Sequence, residues 1–449
     1  MANRFTMVRV GPVLLSTLLK ERGYEVKAFV EDIAPPDWSF IENSDIVCIS
    51  TVTPTAPRAY IMASRIRSLG IPVVMGGVHP TFLPDESMLY SDFVIRGEGE
   101  FALIELIHAL EKGRTKFSAI KGLSYKRKDG SIRHNPLGDL LAEEELNALP
   151  VPDFSLVHKW KSNILYPIST SRGCPFDCSF CSVIPMFGNR YRFKSIDSVL
   201  KELKHFQSVS KAVKFFVDDN FTANKKRSKE LLKEMIVQGY TSRWSTQTSA
   251  DVARDGELLD LMAKSGCGTL YIGFESINPE TLKSYKKRHV PGDIVSCVKT
   301  IQAHGLHVHG MFVVGADTDD VDVIRRTAEF AIDCGIETAQ IIPLTPMPGT
   351  PLFEEMKGNG RLLHTDWTKF NLQHVVFKPA LMSPRVLQIE TLQGMGRFYS
   401  WKYILTYLAK FNLHYTIMGF VGRRLVRSTL KEILPYIDAI QSSAPSMAF

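Results

Sequence analysis

Three cysteines within eight residues, in Cys174-Pro175-Phe176-Asp177-Cys178-Ser179-Phe180-Cys181, constrain this chain more than any other feature. Three soft thiolates at that spacing mean a metal ion or a cluster, and they follow directly on an apolar run at residues 164–168. Cys48, Cys267, Cys297 and Cys334 stand alone, mostly inside apolar stretches, and read as small buried hydrophobes. The ligand count is therefore three. A structural zinc site wants a fourth Cys or His nearby, and the next histidine, His205, is distant and sits on a helical pattern. A four-iron cluster on three cysteines leaves one iron open to a substrate or cofactor, which turns an electron carrier into a catalyst.

Length and composition agree with a multidomain metalloprotein. A chain of 449 residues exceeds one ordinary core, and 45% hydrophobic residues is globular. No window approaches ~20 uninterrupted apolar residues, and residues 1–10 carry no apolar signal core, so a cytoplasmic protein with reduced thiols is expected. Seven cysteines, three of them clustered, then argue for metal chemistry and against a disulfide framework.

Residues 1–113 alternate short apolar runs (24–30, 45–50, 71–75, 93–95) with helical patterns (13–22, 56–69, 100–111), which predicts a parallel sheet covered on both faces. Ligands of such sheets sit at the carboxyl ends of the strands. The loops there are small and polar: Thr53-Pro54-Thr55, Gly76-Gly77-Val78-His79-Pro80 and Arg96-Gly97-Glu98-Gly99-Glu100. A doubly wound domain normally opens on an apolar strand, and residues 1–10 are too polar and short to supply it, so the first strand is expected to be missing. Residues 126–162 turn polar and read as a connector, with Lys126-Arg127-Lys128-Asp129-Gly130 as a hairpin tip. Six strand-then-helix units follow, with strands at 164–170, 212–217, 244–249, 269–274, 307–314 and 338–344. Six is two short of a closed eight-stranded barrel and predicts a partial barrel with an open side.

The Cys-x3-Cys-x2-Cys pattern, with Phe180 just before its last cysteine, resembles the radical S-adenosylmethionine enzymes. The pieces Thr53-Pro54-Thr55, Gly76-Gly77-Val78-His79-Pro80-Thr81 and Arg96-Gly97-Glu98-Gly99-Glu100 resemble the cobalamin-binding domain that precedes the cluster domain in one subgroup. The resemblance implies an α/β architecture: a Rossmann-like cobalamin domain over residues 1–125, a connector, a partial (β/α)6 barrel over 163–355 and a mostly helical extension over 356–449. It implies a [4Fe-4S] cluster on Cys174, Cys178 and Cys181 that cleaves S-adenosylmethionine to a 5'-deoxyadenosyl radical. Phe180, Asp218, Asp219, Glu275 and Ser276 would contact S-adenosylmethionine, and Thr53, Thr55, Gly76, Gly77 and Glu98 would contact cobalamin. Gly273-Phe274-Glu275-Ser276 matches the motif whose acid binds the ribose, and Asp218-Asp219-Asn220 takes the place that receives the methionine amino group. Asp and Asn at strand ends also make helix caps. His79 is a turn histidine, since the Asp-x-His-x-x-Gly run of His-ligated cobalamin is absent. The expected reaction is methylation of an unactivated carbon on an apolar, lipid-like small molecule, fed by an external one-electron donor of the flavodoxin or ferredoxin type. Ring formation or carbon-carbon coupling, or a cluster protein without catalysis, are the alternatives.

Residues 397–431 hold seven Lys or Arg, no acid and many aromatics. They read as an amphipathic helical cap on the barrel, a peripheral contact with the inner face of a membrane, or both. They match no RNA or DNA module, so no nucleic-acid partner is expected.

Overall fold

The computed structural model describes residues 7–113, 116–161, 165–287 and 291–442. The first sheet contains β1 (Val47–Ser50), β2 (Val73–Gly76), β3 (Phe93–Ile95), β4 (Leu123–Lys126) and β5 (Ile132–His134), in that order across the sheet. β1, β2 and β3 are parallel, whereas β4 and β5 return antiparallel as the hairpin whose tip is Lys126–Gly130. The connector therefore opens by extending the first sheet.

Alternation along β2 shows why this layer forms. Val73 and Met75 pack with Ala59, Ala63 and Ile66 of the helix Ala56–Ser68 on one face, while Val74 packs with Leu103 and Leu106 of Glu100–Glu111 on the other. Both faces are covered, as the continuous apolar runs require. The strand expected at 24–30 does not join the sheet: of it, Ala28 makes one parallel bridge, to Val157. Its polar residues Glu25 and Lys27 suit a solvated segment, and β1 is the outermost strand. The expected gap ahead of β1 falls partly on residues 1–6, outside the described residues; Met7 makes a single bridge, to Leu165.

The second sheet has six strands in the order β13-β12-β11-β10-β9-β6, where β6 is Tyr166–Ile168, β9 Lys214–Phe216, β10 Trp244–Thr248, β11 Cys267–Glu275, β12 His307–Val314 and β13 Thr338–Pro343. A two-stranded ribbon, β7 (Ser171–Arg172) with β8 (Arg192–Phe193), flanks the cysteine loop. All six strands lie where the strand-then-helix pattern predicted them, and they form an open sheet of six.

The chain divides into two compact units. The first comprises Met1–Phe176, Ser182–Phe221 and Lys233–Ser245; the second comprises Asp177–Cys181, Thr222–Leu232 and Thr246–Phe449. In the second, the helix Pro384–Phe398 packs on β13 and on Val321–Asp333, and Tyr399 and Tyr403 donate hydroxyl bonds to the Ala339 and Glu337 carbonyls. No helix among the described residues is long and apolar enough to cross a membrane.

Candidate active site

On the first unit, β6 leads through Thr170 into the ribbon and then to Gly173-Cys174. Gly173 has φ +87, and a Cβ there would lie 2.2 Å from the Arg190 carbonyl, so only glycine lets the loop turn against the ribbon. The Cys174 amide donates to the Gly188 carbonyl, and its Sγ lies 3.8 Å from the Tyr191 hydroxyl. Asp218, at the carboxyl end of β9, is 1% exposed; its Oδ1 accepts from the Thr170 amide, the Ser171 amide and the Ser171 hydroxyl. It thus holds the start of the cysteine loop. Asp219, the next residue, keeps exposed surface, yet desolvation by the surrounding protein first and the Asp218 charge second raise its carboxyl to about 7.

The second unit carries the other two cysteines. Cys178 is buried and Cys181 half-buried, and the Cys181 amide donates to the Cys178 carbonyl in a tight turn. The Ser179 carbonyl accepts from the Leu352 amide, just after the Pro346–Pro351 loop, and Phe180 meets Tyr285 edge-on at 4.8 Å. Asp177 pairs with Lys286, and Lys287 Nζ lies 2.9 Å from Glu275 Oε1. Burial opposes the charge on Lys287, but Glu275, Cys178 and Cys181 outweigh it and hold its pKa above the ordinary value. These two lysines were not singled out in the sequence, because two lysines after a short helix look like any solvated turn.

Glu275 ends β11 with φ +63, beside a bulge where the β11–β12 register shifts between Gly273 and Glu275. A Cβ at Gly273 would lie 2.5 Å from Glu275 Oε1, so the glycine leaves the space into which the carboxylate folds. Ser276 has a turn role: its amide donates to the Phe274 carbonyl and its Oγ accepts from the Asn278 amide. The Tyr285 hydroxyl, on a side chain 3% exposed, finds no hydrogen-bond partner among the described residues. His309 bonds Thr338 at 2.8 Å, and burial brings its pKa down to about 4, so it is a neutral core group.

At the carboxyl ends of β1, β2 and β3 the three loops are stitched side by side. Thr51 and Thr55 hydroxyls are 2.8 Å apart, and Thr55 bonds the Val52 amide and carbonyl. A Cβ at Gly77 would lie 2.6 Å from the Thr51 carbonyl, while Gly76 faces the Ile95 carbonyl at 3.5 Å. The Gly97 amide donates to Thr81, and open space surrounds the Gly97 Cβ position. His79 is fully buried, with Nε2 on the Tyr60 hydroxyl at 2.9 Å and Nδ1 on Thr53 at 3.3 Å, so the protein engages both ring nitrogens.

Glu98, in the third of these loops, is bonded by the protein through both oxygens. Its Oε1 meets Arg172 at 2.8 Å, its Oε2 meets Arg192 at 2.7 Å and the Leu141 amide at 2.7 Å, and Arg172 also meets Glu100 at 2.6 Å. Burial alone would raise the Glu98 carboxyl; the two arginines more than offset that and hold it below its usual value. The Arg96–Glu100 loop therefore grips both strands of the ribbon that presents Cys174.

The radical SAM superfamily matches residues 168–331 and the B12 binding domain matches residues 4–107. An uncharacterised methyltransferase of Pyrococcus horikoshii is 32% identical over 442 residues, covering 94% of this chain and 93% of its own. The chain is a cobalamin-binding radical SAM enzyme. Bacteriochlorophyllide d C-12(1)-methyltransferase of Chlorobaculum tepidum is 35% identical, over 78% of the enzyme and 72% of that protein. The cobalamin-dependent radical enzyme OxsB with aqua-cobalamin bound shares the fold, with TM-score 0.71 and 17% identity over 98% of the enzyme and 73% of that chain. The two domains bring a [4Fe-4S] cluster, S-adenosylmethionine and cobalamin.

The residues present fit those groups. Among the described residues no three His, Cys, Asp or Glu side chains surround one point suited to a single metal ion; a four-iron cubane takes one thiolate at each of three irons from three separate cysteines and leaves its fourth iron open. The unsatisfied Tyr285 hydroxyl, buried against Phe180 of the cysteine loop, and the carboxylate of Glu275 offer polar partners to a ligand. Backbone, glycine and short hydroxyls at the β1–β3 ends suit the close approach of a flat macrocycle.

Proposed function

We propose that the enzyme methylates an unactivated carbon of an apolar small molecule. Residues 1–125 would hold cobalamin, residues 163–355 would form the radical SAM barrel and residues 356–449 would close it. When bound, the cluster supplies one electron to S-adenosylmethionine for radical chemistry, and cobalamin carries the methyl group. Cys174, Cys178 and Cys181 hold the cluster. Glu275 accepts the ribose hydroxyls, with Tyr285 and Phe180 beside it, and Asp219 faces the methionine ammonium as a charge-assisted pair. Asp218, Ser276 and Glu98 act one step back, by fixing the loops that present those groups. Thr53, Thr55, Gly76 and Gly77 shape the floor for cobalamin, and electrons come from a flavodoxin- or ferredoxin-type donor.

The observation that carries this reading is the posture of Glu275, a carboxylate held in the left-handed region at a strand end with a glycine vacating its space. The methyltransferase names of both relatives support the reaction type. The test is anaerobic reconstitution with iron, sulfide and hydroxocobalamin. The protein is then assayed with S-adenosylmethionine deuterated in its methyl group, against prenoid, sterol-like and chlorin acceptors, with Cys174→Ala as control. Label in the acceptor and 5'-deoxyadenosine above the control are expected. Acceptor that loses hydrogen without gaining label makes the enzyme a cyclase or coupling catalyst, and no 5'-deoxyadenosine above the control refutes the assignment.

A further inference from the structure

The helices Trp401–Ala409 and Leu413–Ser442 are joined by the turn Lys410-Phe411-Asn412. Contacts between residues 407 and 415, 404 and 419, and 399 and 422 describe an antiparallel hairpin. The inner face is fixed closely. A Cβ at Gly419 would lie 2.7 Å from Ile404, and one at Gly422 would lie 2.5 Å from the Tyr399 ring, so the helices touch through glycines. Tyr399, Tyr403 and Tyr407, spaced four apart, are buried on that face. The cap role predicted for this segment uses that face alone.

The opposite face is apolar and open to solvent. Leu405, Phe411, Leu413, Ile417, Phe420 and Leu425 are all exposed, Phe411 to 93%. Phe411 stands at the hairpin tip in the left-handed region, φ +53, an unfavourable conformation for an aromatic residue. Along the second helix the exposed stripe 413, 417, 420, 424, 427, 431 changes from Leu, Ile and Phe near the tip to Arg, Arg and Lys beyond it. Where the two meet, Trp401, Phe420, Arg423, Arg424 and Arg427 line a groove of about 380 Å³, with Arg423 over the Trp401 ring at 5.0 Å. The seven basic charges of residues 397–431, with no acid among them, equal the net +7 of the whole chain. Arg423, Arg424, Arg427 and Lys431 make no ion pair among the described residues.

We propose that this hairpin docks on an anionic phospholipid bilayer, with Phe411 and its apolar neighbours in the acyl region and Arg423, Arg424 and Arg427 on lipid phosphates. The apolar tip and the cationic groove match the two depths of such a surface: hydrocarbon below, phosphate above. A second copy of the chain is a poorer occupant, because a two-fold contact on this face would bring like charges together. Nucleic acid would leave the exposed apolar tip in water. The contact is peripheral, and it would give the enzyme access to apolar acceptors dissolved in the bilayer. It deepens the reading of an apolar substrate without depending on any cofactor.

The test is sedimentation of the full chain with vesicles of phosphatidylcholine, alone or mixed with phosphatidylglycerol. Binding to the mixed vesicles at low salt, weakened by high salt, is expected. Arg424→Gln with Arg427→Gln should lower affinity roughly twenty-fivefold, at about fivefold per charge. Phe411→Ser should lower it about tenfold or more. Both variants alter exposed residues, so their far-UV circular dichroism and melting should match the parent. In the unaltered chain, brominated lipid should quench fluorescence that is lost in Trp401→Phe. No binding to mixed vesicles, or binding indifferent to both variants, overturns the proposal. So does a concentration-dependent dimer abolished by Phe411→Ser. Failure here would leave the methyl-transfer assay untouched.

Discussion

Replacing Glu98 by glutamine should loosen the cysteine loop from a distance. The Glu98 side chain is 3% exposed, and its two oxygens receive two guanidinium bonds and one amide bond. With Glu100 it balances Arg172 and Arg192, whose side chains are 18% and 11% exposed. Glutamine keeps one acceptor oxygen but removes the charge, leaving Arg172 with Glu100 and Arg192 with only the Leu141 and Phe187 carbonyls beside the new amide. Breaking a buried pair by removing one partner costs about 3–5 kcal/mol, and retaining part of the hydrogen bonding lowers this to about 2–3 kcal/mol. Against a total stability of about 5–15 kcal/mol, that is a large share. Urea unfolding of Glu98→Gln should show a lower midpoint at an unchanged slope. The exposed Arg58–Glu31 pair is the control: Glu31→Gln should cost at most about 1 kcal/mol. Because Arg172 lies two residues before Cys174, Glu98→Gln should also retain less iron after reconstitution. If it is no less stable than Glu31→Gln, the network contributes nothing to the fold. If stability falls while iron retention holds, the coupling to the cysteine loop is refuted.

Three further outcomes are expected. Gly273→Ala places a methyl 2.5 Å from Glu275 Oε1, so S-adenosylmethionine affinity measured by equilibrium dialysis should fall at least tenfold, with a melting change of only about 1 kcal/mol; unchanged affinity would remove Glu275 from the site. Asp219 has a folded pKa of about 7, above its unfolded value of 3.8, so its charge opposes folding as pH rises between those values. Asp219→Asn should therefore raise melting at pH 8 but not at pH 4, by about 1 kcal/mol given its contact with water, while weakening S-adenosylmethionine binding; a pH-independent change would contradict this. Lys214 is fully buried on Ser242 Oγ, and burial lowers its pKa from 10.5 to about 8. Stability should rise between pH 8 and 10.5 as that cost is relieved, and Lys214→Met should abolish the slope and gain on the order of 3 kcal/mol at pH 7; an unaltered slope would show that another group is responsible.

Most of the barrel strands were legible because they are short apolar runs ahead of a helical pattern, and His307–Val314 lies where the run lies; Trp244–Thr248, mostly polar, was marked by its place between two helical patterns. The run at 24–30 has the same local look, yet β propensity needs a neighbour to pair with, and the sheet offers it none. Cys48 was expected to be buried and is exposed, since it faces outward on edge strand β1, whereas Cys267, Cys297 and Cys334 are buried as read. The motif Arg96–Glu100 was visible, but its use was not: nothing local tells that Glu98 meets an arginine 74 residues away. Asp218 and Asp219 are adjacent and alike in sequence, and only the backbone amides of Thr170 and Ser171 separate the one that braces from the one left exposed. In residues 397–431 the period of four in the tyrosines marks the buried face, and Trp401, Phe411 and Phe420 mark the open one.

The backbone of Glu275 rests in a region that residues with side chains ordinarily avoid. A residue so placed cannot relax into a common conformation without unmaking the bulge around it. If Glu275 takes the ribose as proposed, its backbone is set by the sheet and not by the nucleoside, and a ribose lacking one hydroxyl should bind there more weakly.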